Sequence, residues 1–145
     1  SREVEVAKGA RMGRLTDRVH EKLDTPRWKP LQDLFVRVAE AVLKTSSDAH
    51  GDLAGTYVKF NTGPHPTDAA YAVVWLALSL PRRLVVGFAL PEDFEEAGLG
   101  PPPEPVFYQG LTKFLVIKEG QAVPGGLAEW ARRAYENAVS EKGLQ

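Results

Sequence analysis

The chain has 145 residues, 43% hydrophobic and 26% charged, with a formal net charge of -1, which fits one globular domain long enough to bury a sizeable core. Near-neutral charge removes the global field that would hold a polyanion, so nucleic acid is not an expected partner. The absence of cysteine excludes disulfides, thiol nucleophiles and thiolate metal sites. The apolar runs are too short and too often broken by Pro, Arg and Gly to span a membrane, no signal peptide is read, and a cytoplasmic protein is expected.

In chain order, residues 1–7 contain the alternating REVEV, read as a short strand or a frayed terminus. Over about 9–24, Met12, Leu15, Val19 and Leu23 recur at spacings of three and four and predict a helix with a thin apolar stripe. The first 44 residues hold ten basic and seven acidic groups, an excess spread along helices rather than gathered. Pro26 breaks the chain and Pro30 opens a second helix, over about 30–45. Leu31, Leu34, Phe35, Val38, Ala39, Val42 and Leu43 make its wide apolar face, and Trp28 is expected to staple back on its first turns.

Residues 45–55, TSSDAHGDLAG, read as a polar loop in which Asp48, His50 and Asp52 alternate, so that a divalent ion competes with plain turn chemistry as their reason. A short strand, TYVKF, follows at 56–60, and then the loop NTGPHPTD, where His65 and Asp68 could form an acid and base pair but carry no motif. The longest apolar stretch, 71–90, reads as a central hairpin rich in β-branched and aromatic residues. Strand alternation puts Tyr71, Val73, Trp75 and Ala77 on one face and Ala70, Ala72, Val74, Leu76 and Leu78 on the other. Both faces are apolar, so the sheet should be covered twice, by helices, a long loop or a second subunit. Arg82 and Arg83 lie in the reversal, either solvated or holding an anion.

Residues 91–105, PEDFEEAGLGPPPEP, are acidic and proline-rich. Glu92, Asp93, Glu95 and Glu96 are read first as the start of a short helix at Pro91 and second as a cation-binding ridge. The PPPEP run should drape over the surface as a candidate lid. A turn at Gln109 and Gly110 leads into a strand over 112–118, with Phe114 and Val116 opposite Leu115 and Ile117. A C-terminal helix over 127–140 buries Leu127, Trp130, Ala131, Ala134, Tyr135 and Ala138. The expected fold is therefore one α+β domain over 1–145: an N-terminal helical segment at about 1–45, an antiparallel sheet of four or five strands, and a C-terminal helix.

TYVKF at 56–60, PRRLVVGFALP at 81–91, FYQGLTKF at 107–114 and VPGGLAEWARRAYENA at 123–138 resemble the DUF5655-like and YdhG-like small bacterial α+β domains, some of them described as frataxin-like iron chaperones. The resemblance covers roughly the last 90 residues. It implies an antiparallel sheet with packed helices, and it brings no active site.

The favoured function is a non-catalytic module that binds a small ligand or a protein partner and acts as a homodimer, with no cofactor. Its expected ligand-binding residues are Tyr57, Lys59, Tyr71, Trp75, Tyr108 and Lys113. An enzyme using Tyr57, Lys59, Tyr71, Tyr108 and Lys113 as acid, base or anion-holding groups is the alternative, beside metal handling through the two acidic clusters.

Overall fold

A heptad-like run of apolar side chains with a proline in the first turn makes residues Lys29–Leu43 a helix, α2, in the computed structural model, which describes residues 14–144 except 105 and 107. All seven apolar residues expected on its inner face are buried. Each such Leu or Phe contributes about 1.5–3 kcal/mol by leaving water. A shorter helix, α1 (Asp17–Leu23), precedes it and buries Val19 and Leu23. The N-terminal alternation and Met12 lie outside the described residues. The first helix starts later than its periodicity suggests, because Leu15 is spent on a parallel bridge to Gly51 and Thr16 donates its N–H to the Gly51 carbonyl at 3.0 Å. Trp28 is buried with Lys22 Nζ 5.7 Å above its ring.

Five strands follow: β1 (His50–Ala54), β2 (Tyr57–Asn61), β3 (Ala70–Ala77), β4 (Arg83–Phe88) and β5 (Lys113–Lys118). They pair in sequence order, all antiparallel. The last helix, α3 (Leu127–Leu144), packs on β3 and on α2. The α+β class and the antiparallel sheet are thus as expected. The 45–55 loop is corrected: its second half is β1. Ala54 pairs with Tyr57, leaving Gly55 and Thr56 as a two-residue turn. Gly55 has φ 66°, and among the described residues no other type of residue takes a positive φ, the pattern of a turn whose twist suits a hairpin. The polar side chains hid a strand held by partners on both sides, β2 and residues 14–16. The expected helix at Pro91 is also absent. Phe94 N–H reaches the Pro91 carbonyl at 2.9 Å and Leu99 N–H the Glu96 carbonyl at 3.1 Å, two separate turns that Gly98 (φ 97°) and the prolines after it do not extend.

One face of the sheet carries Val58, Phe60, Ala72, Val74, Leu84, Val86, Phe88, Leu115 and Ile117 against the helices in a single core. Tyr71 joins them, contrary to strict alternation. The β2–β3 register slips by one residue at Phe60/Asn61, and such a bulge re-aims the extra side chain. Tyr71 is buried with its hydroxyl donating to the Val42 carbonyl at 2.8 Å, its ring edge-on to Tyr135 at 5.1 Å. Arg14 donates to the Leu43 carbonyl at 2.7 Å and Thr45 Oγ1 to the Val42 carbonyl at 3.1 Å. Three side chains therefore satisfy carbonyls that the end of α2 leaves unpaired.

Burial pushes the Tyr71 hydroxyl up, beyond the opposing effects of Thr45 and Arg14. It stays a donor throughout the ordinary pH range. Tyr71→Phe should cost about 0.5–1.5 kcal/mol in urea unfolding at neutral pH. Above the ordinary value of 10.0 the unfolded chain ionises this tyrosine while the folded chain does not, so stability falls as pH rises. The substitution should flatten that alkaline decline. Asn61 is buried at 4% exposure, and its Oδ1 has no hydrogen-bond partner among the described residues. Asn61→Leu should leave stability unchanged or raise it by about 1 kcal/mol, since an unpaired buried oxygen is costly, and thermal unfolding checks this.

Candidate functional site

The opposite face of the sheet is built from the alternate residues of the same strands. Register places Tyr57, Trp75, Val85 and Val116 in one row across β2 to β5, and Lys59, Val73, Gly87 and Phe114 in the next. Gly87 is the low point. A Cβ there would stand 2.6 Å from Phe114 Cε2 and 2.8 Å from Leu111 Cδ1. Its bare backbone is what lets these two side chains settle onto the strand.

Tyr108 comes down from the segment after the proline run and meets the ring of Tyr57 edge-on at 5.8 Å and that of Trp75 at 6.5 Å. Trp75 also lies 5.5 Å from Tyr57 and 6.1 Å from Phe114. The cluster ties the chain to the sheet, because pairs at these spacings contribute about 0.5–1.5 kcal/mol beyond their buried area. Rings this close fill the space between them and leave no room for a ligand inside the cluster. The room is beside it. A groove of about 220 Å³ runs between Pro103, Glu104 and Val106 on one side and Trp75, Ala77, Arg83, Val85 and Val116 on the other. Val116, 40% exposed, is its most open apolar side chain.

Of the six expected ligand residues, the structure gathers Tyr57, Trp75 and Tyr108, with Lys59 on the same face one row away. Tyr71 and Lys113 are corrections. Tyr71 belongs to the helix-side core for the reason given above. Lys113 pairs with Phe88 at the far end of β4 and borders a separate hollow with Phe94, Leu99 and Pro101. The enzyme constellation that needed Tyr71 and Lys113 beside Tyr57 and Tyr108 is therefore dispersed. Burial, with the Tyr57 phenol close by, pushes the Tyr108 hydroxyl up, which makes it a hydrogen-bond donor rather than a base near neutral pH.

Asp48, His50 and Asp52 do not converge on an ion. His50 Nδ1 lies 2.6 Å from the Asp48 carbonyl. Asp52 accepts from Thr16 Oγ1 at 2.7 Å and from the Leu53 N–H at 2.8 Å, fixing the start of α1 to the edge of the sheet. Among the described residues no three His, Asp or Glu side chains stand together as a metal set, and Glu92, Asp93, Glu95 and Glu96 are no exception. The Asp68 carboxylate accepts from the His65 backbone N–H at 2.9 Å, a loop closure rather than an acid and base pair. Arg83 donates to the Ser79 and Pro81 carbonyls and Arg82 pairs with Glu119 at 3.2 Å.

The groove itself was not legible in the sequence, although Val116 stood in a stretch read as strand. Comparison with known proteins finds no matching family model, no similar curated protein and no similar solved structure.

Gly87→Ala should destabilise the fold by about 1–3 kcal/mol through overpacking against Phe114 and Leu111, read by urea unfolding. Tyr108→Ala should speed amide exchange at residues 108–111 while leaving protection in α2 unchanged.

Proposed function

We propose that the protein is a non-catalytic binding module whose ligand seats in the groove between Pro103, Glu104 and Val106 and the sheet. The observation that carries this reading is the partly exposed Val116 beside Trp75, Ala77 and Val85 in a mainly apolar concavity whose polar members are Thr56, Arg83 and Glu104. Ligand sites are usually apolar hollows with a small number of orienting polar groups. Its volume is below the roughly 300–1,000 Å³ typical of drug-sized ligands, so it suits a single side chain or a small apolar fragment. The aromatic cluster provides a firm wall, and burial keeps the Tyr108 phenol a donor rather than a base near neutral pH.

The homodimer expected from the surplus apolar sheet face draws less support, because Leu111, Tyr108, Pro103, Glu104 and Val106 already lie over that face. Kinship with the DUF5655-like and YdhG-like domains is part of the same proposal. The antiparallel sheet and C-terminal helix it implies are present, but no residue of the groove rests on it. No described helix is long and apolar enough to cross a membrane.

Methyl-detected NMR with a library of small apolar fragments tests the groove. Shifts confined to the methyls of Val85, Val106 and Val116 and to the Trp75 indole are expected. A library that leaves all four unmoved contradicts the reading.

A further inference from the structure

The polar members of the groove differ in how far their bonding capacity is already used. Arg83 turns its guanidinium onto the β3–β4 turn, where Nη1 donates to the Ser79 carbonyl at 3.2 Å and to the Pro81 carbonyl at 2.9 Å. The Glu104 carboxylate and the Thr56 hydroxyl border the same hollow. Among the described residues neither has a hydrogen-bond or ion-pair partner. The groups left to orient a ligand are therefore a negative acceptor and a neutral hydroxyl. Trp75 stands in the same lining and is still partly exposed.

The neighbouring sheet edge offers little to a polypeptide. Phe114 exchanges both outward backbone groups with Gly100, at 2.8 and 2.9 Å. Lys118 meets Gln121 twice, its N–H at Oε1 (2.8 Å) and its carbonyl at the Gln121 N–H (2.9 Å). On β1, Gly51 bonds to Arg14 and Thr16, and the Leu53 N–H bonds to the Asp52 carboxylate. Edges covered in this way are protected against strand addition, so an occupant of the groove has no run of main-chain partners beside it. That favours a free small molecule.

Charge complementarity then selects its chemistry. An ammonium group donates to a carboxylate and to a hydroxyl, and an indole attracts a cation more strongly than other aromatic rings do. Val85 and Val116 supply the apolar surface for a carbon chain. A carboxylate or phosphate would instead face Glu104 with like charge, while the guanidinium that would answer it is held by two carbonyls. We propose that the groove binds a small alkylammonium ion, its head held by Glu104 and Thr56 beside Trp75 and its short chain against Val85 and Val116. This rests on the binding reading above and names the class of ligand. The volume of about 220 Å³ restricts the body to a few carbons.

The test titrates n-butylammonium chloride, n-butanol and sodium butyrate into the protein at neutral pH, followed by methyl and indole NMR. Saturable shifts at the Trp75 indole N–H and at the Val85 and Val116 methyls are expected, with butylammonium bound more tightly than the alcohol or the acid. Rising salt should narrow that preference. Glu104→Gln should weaken butylammonium by roughly two- to fivefold and leave butanol unchanged, a split that a merely structural role of Glu104 would not produce. Butanol or butyrate binding as tightly as butylammonium sinks the ammonium proposal and leaves the groove reading in place. So does a Glu104→Gln variant that binds all three ligands as before or weakens them alike. Nα-acetyl-lysine methylamide presents the same ammonium on a peptide unit, and its binding more tightly than butylammonium would make a partner protein's lysine the occupant and overturn the small-molecule proposal. Absence of shifts with every ligand would remove the groove as well.

Discussion

A sheet whose central strands are apolar on both faces has to be roofed twice before it can exist in water, and the architecture follows from how this chain provides the two roofs. Helices α2 and α3 cover one face. The bulge at Tyr71 locks that cover in place, because the extra residue turns a tyrosine toward the helices and its hydroxyl onto the end of α2. The other roof is a stretch of chain with little regular structure. It is held by Gly87 beneath Phe114 and Leu111 and by Tyr108 against Tyr57 and Trp75. An irregular cover fits less evenly than a helix does. The groove beside Val116 is where the fit is incomplete.

The same geometry explains what could be read from the residues alone. The apolar face of α2, the stripe of α3 and the β3–β4 hairpin were legible because burial imposes a period of 3.6 or 2 on side chains. The two-sided apolarity of 71–90 also announced a second cover. β1 was hidden because His50, Gly51 and Asp52 become a strand only through partners on both sides, one of them more than 30 residues earlier in sequence. Tyr71 was assigned to the wrong face because alternation assumes unbroken register, and a bulge leaves no mark in residue type. Of the candidate site, Tyr57, Trp75 and Tyr108 were found for their chemistry. Their grouping depends on the long-range contact of Tyr108 with Tyr57 and Trp75, and no local pattern encodes it.

Function then depends on where the second roof and the sheet edges leave polar or apolar groups unused. The aromatic rings are consumed by one another, and Asp52, Arg14 and Thr45 are consumed by the joints between helices and sheet. Both edge strands are largely blocked by single bridges and side-chain caps. What remains is a small, mainly apolar hollow beside Val116.

Light scattering over a wide concentration range tests the central claim most directly, that the chain covers its own sheet. The account predicts the mass of a single chain throughout. A stable dimer in which Trp75, Val85 and Val116 become protected would contradict it, because the second roof would then be another subunit.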